Sequence, residues 1–327
     1  MCRQFNKISI FIRLTLDMQN YLALGLKGKN QWWRYVISVI LIFVFLVIVG
    51  YIPVELYIDS GDFSGFSSEE IQEILDDDNF LAAGLNQSIG LLTMISGFIF
   101  GLIVLFLCYK FIHKKQILHL VNVTKKTRWK HVFFGFGVWA VLFVISTFTD
   151  MLVHTDDYQF TFEWNRFYPL LLVCLFFLPF QVAFEEFFLR GYVMQGLYNV
   201  LPIPAFSIIL SSLFFAALHM SNPEVEAFGW YIMMPYYIGS ALMFGILTVW
   251  DEGIEIAMGV HLANNILLAL TVSYEDAVLQ VDSIWTKAEN HINGWNILIY
   301  FSMFFITLYA SHLFISKTKK NIKSENV

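Results

Sequence analysis

The sequence predicts an all-α protein, a polytopic bundle of transmembrane helices. Of its 327 residues, 57% are hydrophobic and only 14% are charged, whereas soluble domains carry about 25% charged residues. The apolar residues gather in runs long enough to cross a bilayer, which takes about 20 residues in a helix. These observations exclude a soluble globular protein. They predict an integral, multi-pass membrane protein, in the cell membrane if the host is bacterial.

Eight apolar runs account for the expected spans. They cover approximately residues 35–56, 88–111, 132–153, 168–200, 204–220, 231–250, 254–274 and 295–316. The segments between them alternate in charge: 1–34, 110–131 and the tail are basic, whereas 57–87 and 154–167 are acidic. Because cytoplasmic loops carry an excess of Lys and Arg, both termini are expected to be cytoplasmic.

On this topology the chain has four parts. They are a cytoplasmic N-terminal segment (1–34), three accessory spans (35–153) with an acidic external loop (57–87), a core (160–275), and a last part (276–327) with an external loop, the final span and a basic cytoplasmic tail. Within the acidic loop, the stretch Ser67-Ser68-Glu69-Glu70 predicts the start of a short amphipathic helix, with Ile71, Ile74 and Leu75 on one side.

Ionisable and amide side chains are concentrated in three of the spans. The fourth span holds Glu185, Glu186 and Arg190, the fifth holds His219, and the seventh holds His261, Asn264 and Asn265. A charged group at the centre of a bilayer costs about 3 kcal/mol on insertion scales, so such groups are rare and indicate function. The sequence therefore predicts one functional site, built from these three spans.

Helical spacing separates the two adjacent acids. Glu186 and Arg190 are four residues apart with the acid first, which favours an ion pair within the helix. Glu185 is one position away, about 100° around the helix. It is therefore expected to point elsewhere, towards the interior of the bundle.

The turn at Pro202 predicts which partner Glu185 meets. Glu185 precedes this turn and His219 follows it, each by about 17 residues, or about 25 Å along a helix. Antiparallel neighbours can therefore bring the two side chains to the same depth. On the seventh span, His261 and Asn265 are four residues apart and share a face.

Two kinds of chemistry fit these groups. A buried glutamate beside a histidine can activate water, while a second histidine and an amide donate hydrogen bonds to a developing oxyanion. Alternatively, Glu185, His219 and His261 form a His₂Glu set, which binds zinc and leaves a position open for water. The spacing of the residues does not decide between them.

Three motifs resemble those of a known family, the CAAX-protease and bacteriocin-processing (CPBP, or Abi) intramembrane endopeptidases. They are Glu185-Glu186-Phe187-Phe188-Leu189-Arg190, Phe215 to His219, and His261 to Asn265. The motifs occur in the family's order and on separate spans. The resemblance covers about residues 165–275.

This resemblance implies a role for each residue. Glu185 and His219 would activate the attacking water, His261 and Asn265 would stabilise the oxyanion, and Glu186 and Arg190 would give structural support. The oxyanion-type Asn favours a mechanism with no metal or other cofactor, and the zinc-dependent version stays as the alternative. The expected partners are membrane lipid and a peptide or protein substrate whose C-terminus could carry a lipid. No nucleic-acid partner is expected.

Two further functional classes fit part of the pattern. A non-catalytic immunity or scaffold protein could use the same fold to bind a partner peptide. A transporter could use the buried polar groups as a proton relay. The chain shows no internal repeat of the kind that transporters are built from, which disfavours the transporter.

Overall fold

Helices make up nearly all of the structure, a computed structural model that describes residues 19–76, 80, 83–274, 281–287 and 294–325. Eight apolar helices form its bundle. They are α1 (Trp32–Ile58), α2 (Gln87–Ile112), α3 (Trp129–Val153), α4 (Trp164–Val200), α5 (Pro204–Leu218), α6 (Trp230–Asp251), α7 (Glu255–Thr271) and α8 (Gly294–Glu325). Each of them coincides with a predicted span, and the predicted helical membrane fold is confirmed.

Six of these helices are long and apolar enough to cross a membrane, judged by length and composition within the described residues. The other two, α5 and α7, have 15 and 17 residues. At about 1.5 Å per residue they are shorter than the hydrocarbon core of a bilayer, about 30 Å. The multi-pass character is therefore confirmed, whereas the number of eight spans and the side of the termini stay predictions.

Several membrane helices are irregular. In α1, the wider π-helical turn Val44–Val49 lies between the regular parts Trp32–Phe43 and Gly50–Ile58. In α2, the π-helical turn Cys108–Ile112 follows the regular part Gln87–Leu107. The long α4 consists of Trp164–Phe176, Leu178–Glu186, the π-helical turn Phe187–Val193 and Met194–Val200. Such turns insert an extra residue and are frequent at functional sites.

Short elements close the two ends of the bundle. The helical ones are Gln19–Ala23, Leu24–Leu26, Ser68–Asp76, Ile117–Leu120, Thr155–Asp157 and Pro223–Phe228. Three strands, β1 (Tyr158–Phe160), β2 (Val272–Ser273) and β3 (Trp285–Lys287), form a small sheet in the order β1-β3-β2. The β1–β3 pairing is antiparallel, and the β2–β3 pairing is parallel. No local pattern in the sequence predicts this sheet.

The short helix predicted in the acidic loop is present, and it begins with a capping box. The backbone N–H of Ser67 donates to Oε2 of Glu70 at 2.7 Å, and the backbone N–H of Glu70 donates to Oγ of Ser67 at 3.3 Å. The helix Ser68–Asp76 follows it directly. The next acids of the loop, Asp77 and Asp78, lie outside the described residues, as do 1–18 of the N-terminal segment and 275–280 and 288–293 of the last external loop.

Helices α3 and α7 approach each other closely because each has a glycine at the contact. A Cβ atom on Gly259 would lie 2.0 Å from the carbonyl oxygen of Val132, and one on Gly135 would lie 2.4 Å from that of Ile256. Small residues permit this backbone-to-backbone approach between membrane helices. The accessory helix α3 is thereby fixed against α7, which carries His261 and Asn265.

The face of α4 that points towards α1 and α2 is aromatic. Phe184, Phe188 and Tyr192 stack along the helix at intervals of four residues, with ring centroids 5.5 and 6.2 Å apart. All three side chains are buried. Because successive residues are about 100° apart, Glu185 and Glu186 are turned away from this face. The apolar packing of α4 therefore directs its two acids to the side where α7 lies.

The N-terminal segment packs against the end of the bundle that contains the 113–122 segment. The hydroxyl of Tyr21 donates to the carbonyl oxygen of Leu120 at 2.6 Å, and the ammonium group of Lys115 donates to the carbonyl oxygen of Gly25 at 2.6 Å. Burial lowers the pKa of Lys115 to about 8. Within the described part of the predicted segment 1–34, Tyr21, Leu22, Leu24 and Gly25 are thus buried in the fold.

Candidate active site

The helix α4 is interrupted shortly before its two acids. Phe177 separates the helical parts Trp164–Phe176 and Leu178–Glu186, and Pro179 occupies the first turn of the second part. Proline is tolerated in a first turn because its missing N–H has no partner there in any case. The turn after the acids, Phe187–Val193, is π-helical and contains Arg190. The acids thus lie in a short regular stretch between two irregular ones.

Glu186 is fully buried and has two partners. Its Oε1 atom lies 3.1 Å from Nη1 of Arg190 and 2.8 Å from Nδ1 of His261. The ion pair between Glu186 and Arg190 expected from their spacing is present. The contact with His261 was not expected. Because the carboxylate accepts from Nδ1, it fixes the orientation of the imidazole ring, as second partners of functional histidines commonly do.

Glu185 lies on the other side of the same imidazole. Its Oε2 atom is 3.7 Å from Nε2 of His261, and its Oε1 atom accepts a hydrogen bond of 3.3 Å from Nε2 of Gln181. The Glu185 residue is 8% exposed and the His261 residue 6%. The ring of His261 is therefore held between two adjacent carboxylates, one bound to Arg190 and one not.

Gln181 is a site residue that the sequence interpretation overlooked. It is half-buried and lies one helical turn before Glu185, whose carboxylate accepts its amide N–H. A signal for it existed, because Gln181 is a polar residue in the apolar run of the fourth span, four positions before the acid.

His219 lies at the end of α5, and the structure does not show the direct meeting with Glu185 expected from the sequence. Nδ1 of His219 donates to the carbonyl oxygen of Phe215 at 2.8 Å. The ring also packs on those of Phe215 and Tyr237, with centroids 4.2 and 4.7 Å away. Among the described residues, no hydrogen bond or ion pair joins His219 to Glu185. Nε2 of His219 is the nitrogen left to bind another molecule.

Two phenylalanines connect the histidines with Arg190. The guanidinium carbon of Arg190 lies 5.2 Å from the ring centroid of Phe215 and 5.1 Å from that of Phe244. Phe215 contacts His219, and Phe244 stacks on His261 at 5.0 Å. The motif residues of α4, α5 and α7 thus surround one buried cluster. Its aromatic rings stabilise the Arg190 charge by cation–π interaction.

The amide of Asn265 follows His261 by one turn of α7 and has a polar neighbour of its own. Nδ2 of Asn264 donates to Oδ1 of Asn265 at 3.2 Å. The indole Nε1–H of Trp139, on α3, donates to Oδ1 of Asn264 at 3.2 Å. The sequence interpretation noted Asn264 but gave it no role, and no local pattern connects it with Trp139, 125 positions earlier.

A second group of buried charges holds the start of α7. Arg128 contacts both Asp251, at 2.9 Å, and Glu255. Nδ1 of His131 lies 2.7 Å from Oδ1 of Asp251, and the Asn122 amide donates to Glu255. These pairs connect the end of α6 and the start of α7 to the start of α3. They fix the position of α7, and hence of His261, along its axis.

A zinc site would require three ligand side chains that lie close together. In the part of the chain that the structure describes, no three His, Cys, Asp or Glu side chains are grouped so that they could hold a metal ion. Glu185, His219 and His261, the set that the zinc alternative requires, are all among these residues. Glu185 and His261 approach each other, and His219 does not complete the group.

A family model matches the region of the chain that carries the cluster. Residues 166–267 match the family model described as type II CAAX prenyl endopeptidase Rce1-like. An uncharacterized protein of Bacillus subtilis (strain 168), YyaK, is 27% identical over 260 residues, which cover 77% of this chain and 82% of that protein. No solved structure matches the chain. The matched region includes all the motif residues of α4, α5 and α7.

Proposed function

Because the chain belongs, through residues 166–267, to the Rce1-like family of type II CAAX prenyl endopeptidases, we propose that it is an intramembrane endopeptidase. The family implies CAAX-type protease activity within the membrane. The proposed reaction is hydrolysis of one peptide bond in a membrane-associated protein or peptide. Its substrate could carry a lipid near the C-terminus, as CAAX substrates do.

Glu185 is the proposed general base. It is buried, and unlike Glu186 it has no ion pair with Arg190 among the described contacts. Its carboxylate is therefore available to take a proton from water while the water oxygen attacks the carbonyl carbon of the substrate. Nε2 of His219 would hold the same water, because Nδ1 already donates to the Phe215 carbonyl.

His261 and Asn265 are the proposed donors to the oxyanion. Glu186 accepts from Nδ1 of His261, which leaves Nε2 to face the reacting groups. When both ring nitrogens carry a proton, Nε2 donates to the carbonyl oxygen of the substrate as that oxygen becomes negative. The Asn265 amide, one turn further along α7, donates to the same oxygen. When the C–N bond breaks, the leaving amine takes the proton held by Glu185, and a carboxylic acid and an amine are released.

One observation carries this proposal: the His261 ring lies between Glu185 and Glu186, in a buried cluster at the centre of the matched region. Two acids and an arginine in an apolar bundle are costly, since each charged group has to be desolvated. The division between an acid bound to Arg190 and an acid held only by an amide and an imidazole supports a catalytic use for the second one.

The decisive test is cleavage of a fluorogenic peptide by purified protein in proteoliposomes, with farnesylated, geranylgeranylated and unmodified peptides compared. Glu185→Gln is expected to lower kcat at least about 100-fold, the lower end for removal of a general base. Glu69→Gln, on the exposed acidic helix, is the control and should not change it. If Glu185→Gln cleaves as well as the wild type, Glu185 is not the general base; if the wild type cleaves none of the peptides, a non-catalytic scaffold protein is favoured.

The metal-free mechanism has its own test. Activity is measured after dialysis against a zinc chelator, with metal analysis of the same samples. We expect cleavage to persist, because the proposed water is held by Glu185 and His219 alone. Loss of activity on chelation, restored by one equivalent of zinc, would replace this mechanism by the zinc-dependent version with Glu185, His219 and His261 as ligands.

A further inference from the structure

The accessory helix α3 reaches the proposed active site through one side chain. Trp139 lies one turn after Gly135, the glycine that allows α3 to approach α7, and it is only 1% exposed. Its indole Nε1 is 3.2 Å from Oδ1 of Asn264, and Nδ2 of Asn264 is 3.2 Å from Oδ1 of Asn265. A chain of two hydrogen bonds thus runs from outside the matched region 166–267 to the proposed oxyanion donor.

The direction of this chain is fixed by chemistry. An indole N–H can only donate a hydrogen bond, so the atom of Asn264 that faces Trp139 has to be its oxygen. The NH₂ group of Asn264 then faces Asn265 and requires an oxygen there. The indole N–H of Trp139 thus sets the orientation of both amides, which otherwise has to be assigned from the surrounding hydrogen bonds. The NH₂ group of Asn265 is consequently turned away from Asn264.

We propose that Trp139 and Asn264 are positioning residues, which orient the amide of Asn265 so that its NH₂ group, not its oxygen, is presented to the substrate carbonyl. The inference rests on the proposed function, in which Asn265 donates to the oxyanion. An amide rotated by 180° would present its oxygen to the developing negative charge and repel it. The chain of two hydrogen bonds from Trp139 through Asn264 to Asn265, here called the relay, disfavours that orientation before the substrate binds. The donor is thereby preorganised.

The role proposed for Trp139 differs from simple packing. Its ring also contacts Tyr300 at 5.5 Å and Phe304 at 5.8 Å, both on α8. Packing at these contacts depends on the ring, whereas the relay depends on the N–H group alone. Phenylalanine keeps an aromatic ring and removes the donor, so Trp139→Phe separates the two roles.

The first measurement is steady-state cleavage of the peptide panel. Trp139→Phe is expected to lower kcat about tenfold with KM unchanged, less than the 10²–10³ lost when an oxyanion donor is removed outright. Trp250→Phe is the matched control, because the Trp250 ring contacts that of His312 and, among the described contacts, its indole N–H makes no hydrogen bond to Asn264 or Asn265. It should leave both constants unchanged.

The second measurement tests whether the residues act as one relay. Asn264→Leu removes the middle of the chain, and the double variant Trp139→Phe/Asn264→Leu should then lose no more kcat than Asn264→Leu alone. When residues act as a unit, the losses of kcat caused by their single substitutions do not add up in the double variant. The free-energy effects of two independent packing defects do add up. Additive losses in the double variant would overturn the relay.

The third measurement does not depend on activity. The indole ¹⁵N–¹H resonance of Trp139, one of nine tryptophans in the chain, is assigned by its absence in Trp139→Phe. It should shift in Asn264→Leu, while the Trp250 resonance does not. An unshifted Trp139 resonance, or an unchanged kcat in Trp139→Phe, would overturn the relay and leave the proposed function intact. Failure of the wild type to cleave any peptide of the panel would overturn the proposed function and, with it, the catalytic role of the relay.

Discussion

Nδ1 of His261 lies 2.8 Å from Oε1 of Glu186, the same oxygen that lies 3.1 Å from Nη1 of Arg190. One carboxylate oxygen therefore joins the imidazole of α7 to the guanidinium of α4. The neighbouring acid, Glu185, approaches the other nitrogen of that ring. Two adjacent residues of identical chemistry thus have different surroundings, and the differences can be measured.

Replacement of the two acids should separate stability from activity. Glu186→Gln is expected to lower the free energy of unfolding by about 3–5 kcal/mol, because it leaves Arg190 buried without its counter-charge. Glu185→Gln is the matched control, since it makes the same exchange of one carboxylate oxygen for NH₂ at the adjacent residue and keeps the pair of Glu186 and Arg190. Its stability should stay close to that of the wild type while its activity is lost. Equal destabilisation in urea unfolding of the two variants would contradict this division.

The contact between α3 and α7 predicts the effect of adding one methyl group. Gly259→Ala places a Cβ atom 2.0 Å from the backbone oxygen of Val132, and the overpacking should cost about 1–3 kcal/mol of stability. Gly137→Ala, on the α3 side of the same pair of helices, meets nothing within 4 Å. It should be neutral or stabilising, by up to about 1 kcal/mol. Thermal unfolding of both variants checks the prediction, and a stable Gly259→Ala protein would show that the helices are further apart.

His113 makes the packing of the N-terminal segment sensitive to acid. Nδ1 of His113 donates to the carbonyl oxygen of Lys29 at 2.9 Å, and Nε2 accepts from the hydroxyl of Tyr192 at 2.8 Å. Burial, with smaller contributions from the charges of Lys115 and Arg34, lowers the pKa of His113 to about 4. The ring is therefore neutral at pH 7 in the folded protein.

The sign of the effect follows from this lowered pKa. Because the unfolded chain binds the proton near pH 6.5 and the folded protein only near pH 4, stability is lost as the pH falls from about 6.5 to about 4. The loss for this one group is about 3 kcal/mol, at 1.4 kcal/mol per pKa unit. Unfolding midpoints are measured across this pH range. His113→Gln should flatten the profile relative to the wild type, and an unchanged profile in this variant would contradict the role of His113.

The predicted orientation can be read from cysteine accessibility. In a variant without the three native cysteines, Ser64→Cys in the acidic loop and Lys126→Cys in the basic loop are both exposed. A membrane-impermeant maleimide added to whole cells should label Ser64→Cys at once. It should label Lys126→Cys only after permeabilisation, because both termini and the basic loop are predicted to be cytoplasmic. The opposite pattern would invert the topology.

The positions of the helices could be predicted from the sequence because hydrophobic runs in a membrane protein are local signals. Every backbone polar group has to be satisfied within the bilayer, so an apolar run of this length can only be a helix here. The ion pair of Glu186 and Arg190 is equally local, since it depends on a spacing of four residues. The small sheet has no such signal, because its strands are separated by long stretches of chain.

The contact expected between Glu185 and His219 shows where the local argument ends. Glu185 and His219 reach the same depth only if the helices before and after Pro202 are both straight and regular. Instead, α4 contains a π-helical turn at Phe187–Val193 directly after the acids, and α5 ends at Leu218. An extra residue in the turn rotates the acids relative to the hairpin. The contact of Glu186 with His261 and the relay from Trp139 likewise depend on packing between α3, α4 and α7, which spacing along the chain does not determine.

The separation of Trp139, Glu185 and His261 along the chain has a consequence for biosynthesis. Chains are made from the N-terminus, so α3 and α4 enter the membrane well before α7 is translated. Until then the face of α3 that carries Gly135 and Trp139 lacks its partner helix α7. Glu186 can already pair with Arg190, but not with His261. On the proposed mechanism, the nascent protein would carry Glu185 before it carries His261 and Asn265. The proposed activity would then begin only when the seventh helix is inserted.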